Sequence, residues 1–542
     1  MDSALLFSCL LVPTVLHVAL KVLNKSTFSW IARAGGNGFN MGLTFVAGAC
    51  GLFLKGFNFC ALIVLAASIP FWLPPVLIGI RFKILTAING EEGIELPCEK
   101  LGVTGATFKT VYNSEAVDLR SRQSNYGLSD FFWYLLAPAH AIHQEHLETK
   151  DVRYKICSAV TRKICNVSED RLRAIAIKYS NDLLSPERLG KGSWEAKRHL
   201  GSWEQGFLVG SLRDLFFPCF QRMVFELVFE IDLADVENKA MTLSAENVLK
   251  AIKGVDTRNV KLRREMCDLL LARVEATDGT LGELLHADIT AEEWALFLQG
   301  VFFTTAVVQL SEAMAHIHLA LAQHQHVLTK LQSELEENYD EASKPGSYLN
   351  NIITEALRVW PLFGIAHRIT SDDVKVSDSV TFPKGSVLCF NYPKYHMTGY
   401  EQPESFIPDR WSTLKEREQN YLPFGAPSNR PCPGKRLSLI WMREMTKITA
   451  QKLIVHSPTE HTRSLPCGGL ALMLVNQTAD KKVPQKLLGM LLRVLVFLSP
   501  VPRSIKQIIN ELCMLHPFRT DCKFRSNFDP HEICLLWSLL WT

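Results

Sequence analysis

Hydrophobic residues form long blocks at the start of the chain and shorter periodic runs farther along it. The first blocks span residues 4–20 and 41–80, and a polar stretch with lysines and an arginine at 21–40 separates them. Apolar blocks of this kind are typical of segments that enter a lipid bilayer. Residues 1–85 are therefore predicted to be a membrane-anchoring region. Because basic residues flank the second block, one consistent topology places 21–40 and the rest of the chain in the cytosol.

Farther along, the pattern of apolar positions changes to helical and then to strand spacing. Short β-prone runs alternate with turn residues between positions 367 and 396, which predicts a small sheet. Helical spacing is found in four segments, at 212–230, 260–276, 291–322 and 324–338. The predicted fold class is therefore mainly α with a small β region.

The composition excludes several classes of protein. The chain has 542 residues, of which 47% are hydrophobic, so it can bury a large core in addition to membrane segments. A net charge of +3 is too small to predict nucleic-acid binding. The 14 cysteines include no Cys-x-x-Cys pair, so neither a zinc ribbon nor a thioredoxin-type site is predicted. We interpret the cysteines as reduced thiols of a protein exposed to the cytosol.

Cys432 is the strongest candidate for chemistry. It stands in the segment FGAPSNRPCPG at 424–434, just before an apolar, helix-like run that begins near Lys435. Peptide N–H groups at the helix start, together with Arg430, favour the anionic sulfur electrostatically. A thiolate is a ligand of haem iron. The glycines and prolines keep side-chain bulk away from an approaching ring, and Phe424 is placed to cover the sulfur.

This segment resembles the haem-binding signature of the cytochrome P450 superfamily, Phe-x-x-Gly-x-Arg-x-Cys-x-Gly. Phe424, Arg430, Cys432 and Gly434 match it. The stretch from phenylalanine to cysteine is one residue longer here, and Pro427–Ser428 replaces the expected central glycine. The resemblance implies a cytochrome P450-like haem-thiolate fold that binds haem b (iron protoporphyrin IX). Cys432 would be the axial ligand of the iron, with the other three matching residues beside it.

Two upstream motifs follow in the order that the same family shows. Glu355 and Arg358 are three residues apart and share a helix face, and the segment FIPDRW at 406–411 supplies Arg410. In the family these side chains form a buried network that locks the loop before the cysteine. An arginine fork suits that role because it can meet a carboxylate and backbone carbonyls together. The resemblance therefore implies a structural role for all three.

The predicted sheet carries two further candidates. Arg368 matches a family position whose arginine commonly pairs with a haem propionate, and His396 stands where the family often has a residue near the haem edge. The alternative for each is a side chain in a loop or at a strand edge without a special task.

The oxygen side is where the sequence departs most from the family, whose members usually carry Ala/Gly-Gly-x-Asp/Glu-Thr on a long distal helix. Matching by letters selects Thr304 as the hydroxyl, with Phe303 in place of the acid. Counting back from the HQHV segment instead selects the stretch from Thr305 to Gln309, with Gln309 in place of the threonine and Val308 in place of the acid. Neither register supplies a carboxylate, so water or substrate would have to deliver protons for O–O cleavage. The alternative is that these polar residues only satisfy neighbours on a buried helix.

The resemblance divides the chain into three parts. Residues 1–85 form the membrane-anchoring region, 98–478 the haem-thiolate catalytic domain, and 481–542 a tail of unknown role for which membrane association is one alternative.

The leading functional prediction is a monooxygenase that oxidises an apolar, lipid-like or terpenoid substrate. It would use dioxygen and electrons from an NADPH-dependent reductase or a ferredoxin. The first alternative is a reductase-independent hydroperoxide isomerase or dehydratase of the same fold, and the second is a non-catalytic haem-binding membrane protein. The predicted location is the membrane of the endoplasmic reticulum, with the catalytic domain facing the cytosol. No nucleic-acid partner is expected.

Overall fold

The computed structural model describes residues 94–117, 152–252, 259–277, 280–285, 288–377, 379–425, 431–457, 461–463, 465 and 468–475, with short pieces between 49 and 61. Most of the predicted anchoring region at 1–85 and the whole tail at 481–542 lie outside these residues. The predicted site residue Arg430 also lies outside them.

Helices dominate the described part of the chain, so the predicted class, mainly α with a small β region, is confirmed. In chain order the helices are α1 (Gly105–Tyr112), α2 (Val152–Cys165), α3 (Glu169–Leu183), α4 (Pro186–Leu189), α5 (Leu212–Phe229), α6 (Asp235–Ile252), α7 (Val260–Glu275), α8 (Thr280–Leu284), α9 (Ala291–Leu298), α10 (Val307–Gln323), α11 (Gln325–Glu337), α12 (Tyr348–Val359), α13 (Tyr392–Met397) and α14 (Lys435–Lys452).

Four of these helices form the centre of the fold. α10 packs against α5, α14 packs against α3, and the two pairs contact each other. α5 is apolar on nearly all sides, as expected of a helix that is surrounded by others, and it buries Phe216, Phe217 and Phe220. The indole of Trp441 on α14 is also fully buried and donates a hydrogen bond of 3.1 Å to the Leu172 carbonyl on α3.

The distal helix predicted at 291–322 is present, but it is not a uniform α-helix. It begins at a capping box in which Thr290 and Glu293 satisfy each other's backbone N–H groups. α9 and α10 are joined by a π-helical turn at Gln299–Ala306. Within the described residues, Ala291–Gln323 is the single helix long and apolar enough to cross a membrane, yet 78% of its most apolar window is buried inside the fold. Its hydrophobicity is therefore that of a core helix.

Within the described residues, three small sheets lie around the helices. The first has the order β1-β7-β4, with β1 parallel to β7 and β4 antiparallel to it, so that Arg368 on β4 faces Leu388. The second is antiparallel with the order β2-β3-β9-β8, and β5 pairs with β6 in a hairpin. The strands are β1 (Ile94–Leu96), β2 (Leu200–Ser202), β3 (Phe207–Ser211), β4 (Ile365–Ile369), β5 (Val374–Lys375), β6 (Thr381–Phe382), β7 (Val387–Asn391), β8 (Ile454–His456) and β9 (Leu470–Leu474).

Candidate functional site

Cys432 lies at the entrance to α14, on a loop whose ends are tied together. Its backbone N–H donates a hydrogen bond of 2.8 Å to the Phe424 carbonyl, and Lys435 N–H donates one of 3.3 Å to the Cys432 carbonyl. Gly425 has a φ of +75°, a conformation that glycine adopts without strain and that turns the chain after Phe424. Cys432 is exposed, so the loop end that these hydrogen bonds hold carries an accessible sulfur.

The electrostatics of the sulfur differ from the sequence-based expectation. The thiol is open on one side and enclosed by protein on the others, and desolvation by those neighbours raises the pKa of Cys432. The backbone N–H of Gly434 acts in the opposite direction but is the smaller effect. The helix start alone therefore does not favour the thiolate in the described surroundings. A metal ion bound to the sulfur would displace the proton directly.

The described residues leave space beside the sulfur. Of their atoms, a methyl group at Gly434 would approach only Ser438 Oγ, at 3.7 Å, and Cys432 Sγ, at 3.8 Å. Phe424 is partly exposed, and the Lys435 ammonium lies 6.0 Å from the centre of its ring. Apolar surface next to an open sulfur is what a haem would cover.

Glu355 is the centre of a fully buried hydrogen-bond network. Arg358, in the next turn of α12, donates hydrogen bonds to both carboxylate oxygens from Nε and from one terminal nitrogen, each at 2.8 Å. Arg410 Nε donates to the same carboxylate at 3.0 Å. Trp411 Nε1 and the Ile407 N–H add bonds of 2.8 Å and 3.0 Å. Five donors thus meet one carboxylate that is 0% exposed, which is the pairing that a buried charge requires.

The two arginines extend this network to the backbone. Arg358 donates to the carbonyls of Pro403, at 2.7 Å, and of Ser405, at 3.2 Å. Arg410 donates to the carbonyls of Glu401 and Gln402, at 2.8 Å and 3.2 Å. The predicted residues Glu355, Arg358 and Arg410 therefore lie together and hold the chain segment at 401–411. Sequence reasoning missed Ile407 and Trp411, although both stand in the quoted FIPDRW segment.

His396 does not line an open space, because its side chain is 0% exposed. Its Nε2 accepts a hydrogen bond of 2.9 Å from the Leu422 N–H, and its own carbonyl accepts one of 3.2 Å from Arg358. Burial lowers the pKa of His396 to about 3, with the nearby Arg358 charge adding to the effect. The expectation that His396 lies at a haem edge is replaced by a structural tie between α13 and the chain that leads to Cys432.

Arg368 is 7% exposed on strand β4. Burial raises the pKa of the neighbouring Tyr392 well above its usual value, and the Arg368 charge partly offsets this. The side chain is thus a buried cation near Tyr392, with the charge that a propionate would need.

The distal helix turns a narrow stripe toward open space. Val301, Thr305, Ala306 and Gln309 are partly exposed. Thr305 follows Val301 by four residues, Gln309 follows Thr305 by four, and Ala306 adjoins Thr305, so the four lie on one side of the helix. The Thr305 hydroxyl and the Gln309 amide oxygen have no hydrogen-bond partner in the described structure. These two polar atoms are buried without a partner among the described residues, although the residues that carry them are partly exposed.

The other candidates on this helix point elsewhere. Thr304 is 1% exposed with an unpaired hydroxyl, and Val308 is 7% exposed. Phe303 is 0% exposed, and its ring lies 6.0 Å from the rings of both Phe225 and Phe229 on α5. The residue that letter matching puts in place of the acid is therefore packed into the core.

A carboxylate that sequence reasoning missed follows one turn later on α10. Glu312 is buried and forms an ion pair of 2.8 Å with Arg213 at the start of α5. Glu312 stands three residues after Gln309, on the same helix face, and this spacing could have identified it from the sequence.

Comparison with known proteins agrees with these features. A family model described as Cytochrome P450 matches residues 215–480. Cytochrome P450 3A29 of Sus scrofa is 27% identical over 284 residues, which cover 49% of this chain and 55% of that one. Cytochrome P450 3A19 of Capra hircus aegagrus is 30% identical over 161 residues, which cover 27% of this chain and 69% of that one. The matches span between 30% and 55% of the lengths of the first four curated relatives.

Solved structures show the same architecture. A zebra fish cytochrome P450 solved with progesterone superposes with a TM-score of 0.51 at 16% sequence identity, covering 69% of this chain and 92% of the other. Cytochrome P450SP alpha in complex with (R)-ibuprophen gives a TM-score of 0.54 at 15% identity, covering 68% and 88%. At these identities the likeness is one of fold alone.

Proposed function

Because the chain belongs to the cytochrome P450 superfamily, we propose that it is a haem-thiolate monooxygenase. It would oxidise an apolar, lipid-like or terpenoid substrate with dioxygen and electrons from an NADPH-dependent reductase or a ferredoxin. The observation that carries this proposal is the exposed Cys432 sulfur on a loop held at both ends, in a chain that also forms the buried Glu355 network.

The described residues fit haem b as the cofactor. Cys432 would be the axial ligand, Phe424 and Gly434 would flank it, and the buried cation of Arg368 would pair with a propionate. Arg430 is the remaining candidate of the signature and lies outside the described residues. Iron bound by a thiolate supplies electron density that favours O–O cleavage.

The partly exposed stripe of the distal helix would form the substrate side. Val301 and Ala306 supply apolar surface, whereas Thr305 and Gln309 offer a hydroxyl and an amide oxygen that still lack partners. A buried polar atom without a partner costs free energy, so an ordered water or a polar substrate group would bind there. Thr304 is the weaker candidate because the residue as a whole is 1% exposed, whereas Thr305 is partly exposed.

The proposal includes attachment to the membrane of the endoplasmic reticulum, with the catalytic domain facing the cytosol. Support comes from the apolar blocks at 4–20 and 41–80 and from three large apolar side chains within the second block. Phe53, Leu54 and Phe57 are 63%, 84% and 49% exposed, and exposed apolar clusters of this kind mark membrane or protein contacts.

A difference spectrum of the reduced protein with carbon monoxide tests the ligand. Thiolate ligation shifts the Soret band of the ferrous carbonyl complex far to the red of the band from histidine or thiol ligation. We expect the wild type to show the red-shifted band and Cys432→His to lose it. The matched control is Cys98→His, at a half-buried cysteine near strand β1, which should keep the band. Retention of the band by Cys432→His would refute the assignment.

One observation favours a second function in the same fold. Phe303 and Val308, which stand where the family has its acid, are both apolar and buried, so neither can deliver a proton. A hydroperoxide isomerase or dehydratase would not need this acid, because its substrate already contains the O–O bond and no reductase is involved. It should turn over a lipid hydroperoxide without reductase, whereas a monooxygenase should form product only with NADPH, its reductase and dioxygen. Haem binding with neither activity would indicate the non-catalytic alternative.

A further inference from the structure

Gln221 on α5 is a buried amide whose two N–H bonds point at two different helices. The residue is 0% exposed. Its Nε2 donates one hydrogen bond of 2.9 Å to the Phe303 carbonyl, inside the π-helical turn, and one of 3.2 Å to the Met241 carbonyl on α6. α5 is thereby joined to the distal helix and to α6 through a single side chain.

A π-helical turn needs such a partner more than an α-helix does. The turn at Gln299–Ala306 inserts an extra residue, which widens the helix and disturbs the regular ladder of carbonyl acceptors. A backbone carbonyl that is buried without a donor costs free energy. The Gln221 amide supplies a donor to a carbonyl inside this turn, where water does not reach the buried Phe303.

α5 also holds the side chain of the same residue. The Phe303 ring stacks on Phe229 at an interplanar angle of 14° and contacts Phe225, and both partners are on α5. Residue 303 is thus fixed by its backbone through Gln221 and by its ring through two phenylalanines. These contacts fix the orientation of the distal helix about its own axis at residue 303.

The rotation decides which residues reach the open side. With Phe303 turned toward α5, Thr304 is 1% exposed, whereas Thr305 and Gln309 are partly exposed. We propose that Gln221 is a positioning residue: by anchoring the Phe303 carbonyl it holds the extra residue of the π turn in place and so selects Thr305 and Gln309 as the side chains that face the substrate. The inference rests on the proposed function for the identity of that open side.

The test measures the orientation of the helix directly. Thr304→Cys and Thr305→Cys are made separately in the full-length holoprotein, and alkylation of each new thiol by a small neutral reagent is followed by peptide mass spectrometry. In the wild-type background the thiol at position 305 should react much faster than the one at 304. In a Gln221→Met background, the methionine side chain keeps the volume of glutamine but cannot donate a hydrogen bond. The extra residue of the π turn can then move to another position along the helix. The alkylation rate at position 305 divided by that at position 304 should then decrease by roughly fivefold to tenfold. This is the population change expected from losing one ordinary hydrogen bond.

Gln299→Met is the matched control. Gln299 is also a buried amide, 1% exposed, and it begins the same π turn, but it donates its hydrogen bond of 2.8 Å to the Arg263 carbonyl on α7. Both Met variants should lower the Tm, Gln221→Met by more because two carbonyls lose their donor, and only Gln221→Met should change the labelling ratio. An unchanged ratio in Gln221→Met, or an equal change in both variants, would overturn the proposal.

Two precautions keep the result interpretable. If Gln221→Met does not fold, Gln221→Asn replaces it, because the amide remains but is one methylene too short to hold both carbonyls, and the same direction of change is expected. The labelling ratio requires no turnover. Failure of the proposed monooxygenase activity would therefore leave this measurement intact, and an altered ratio with unchanged activity would separate the two proposals.

Discussion

The Glu355 network and the distal helix differ in how completely their polar groups are paired. On the cysteine side, the Glu355 carboxylate receives five donors and both arginines extend to backbone carbonyls. On the distal side, the hydroxyls of Thr304 and Thr305 and the amide oxygen of Gln309 have no partner in the described structure. Because buried polar groups are nearly always paired in folded proteins, a satisfied network indicates scaffold and an unsatisfied one indicates a place for a ligand.

This difference separates stability from function. The side chains of Glu355 and Arg358 are 0% exposed and that of Arg410 is 9% exposed, so each charge depends on its partners and the loss of any one is costly. The distal stripe is apolar apart from Thr305 and Gln309, and their removal leaves no charge unpaired. We expect substitutions on the cysteine side to act mainly on folding and haem retention, and substitutions on the distal side to act mainly on turnover.

The largest effect is expected for Glu355→Ala. Removing this carboxylate leaves two buried guanidinium groups and an indole N–H without their acceptor, at a cost of roughly 3–5 kcal/mol. The variant should aggregate or be recovered without haem, as measured by urea unfolding and by haem content per protein.

The control for this prediction is Glu341→Ala. Glu341 pairs with Lys344 at the same three-residue spacing, but the two side chains are 62% and 56% exposed. Surface substitutions of this kind change the free energy of unfolding by less than about 0.5 kcal/mol. A stable, fully haem-loaded Glu355→Ala protein with merely reduced turnover would contradict the structural role.

A smaller effect is expected from acid through His396. Burial lowers the pKa of His396 to about 3 from its ordinary value of 6.5, so between these values the unfolded chain binds a proton that the folded protein does not. Stability is therefore full above pH 6.5 and falls as the pH decreases toward 3. The loss from this residue should reach about 2–3 kcal/mol at pH 4.5.

His396→Gln isolates this contribution because the glutamine oxygen can accept a hydrogen bond but does not titrate. Its urea midpoint should fall less steeply between pH 7 and pH 4.5 than that of the wild type. His326→Gln, at an exposed histidine on α11, should leave the steepness unchanged. Equal slopes for wild type and His396→Gln would show that the buried imidazole is not the source.

Much of the cysteine side could be predicted from the sequence because its contacts are encoded by short motifs. Glu355 and Arg358 meet through helical spacing alone, and the loop ending at Cys432 carries its own turn residues. The donors Trp411 and Ile407 were missed because nothing in their spacing points at Glu355. The raised pKa of Cys432 also depends on surroundings that are far away in sequence.

The distal side could not be predicted in the same way. Both sequence registers assumed a regular helix, whereas the π turn adds a residue whose position depends on Gln221, 82 residues earlier in the chain. The resulting exposure favours the stretch from Thr305 to Gln309 as the open face. The letter match at Phe303 and Thr304 fails to reach that face because α5 packs against it.

The smallest effect on stability, and the sharpest test of this comparison, comes from replacing each threonine by valine. Thr304 is buried with an unpaired hydroxyl, so Thr304→Val removes a group that gains nothing from the fold. The free energy of unfolding should stay the same or rise by up to about 1 kcal/mol, and turnover should not change. Thr305→Val should be equally neutral for stability, because the Thr305 hydroxyl is also buried without a partner in the described structure.

Thr304→Val and Thr305→Val should differ in their effect on turnover. If the Thr305 hydroxyl holds a water or substrate group that supplies protons, Thr305→Val should divert NADPH electrons from product to hydrogen peroxide, whereas Thr304→Val should keep the wild-type ratio of product to NADPH consumed. The measurement is that ratio, with peroxide determined in parallel and a urea midpoint for each variant. A loss of coupling in Thr304→Val alone would instead favour the register chosen by letters, and it would mean that the buried hydroxyl, despite its enclosure, is the one that meets the reacting groups.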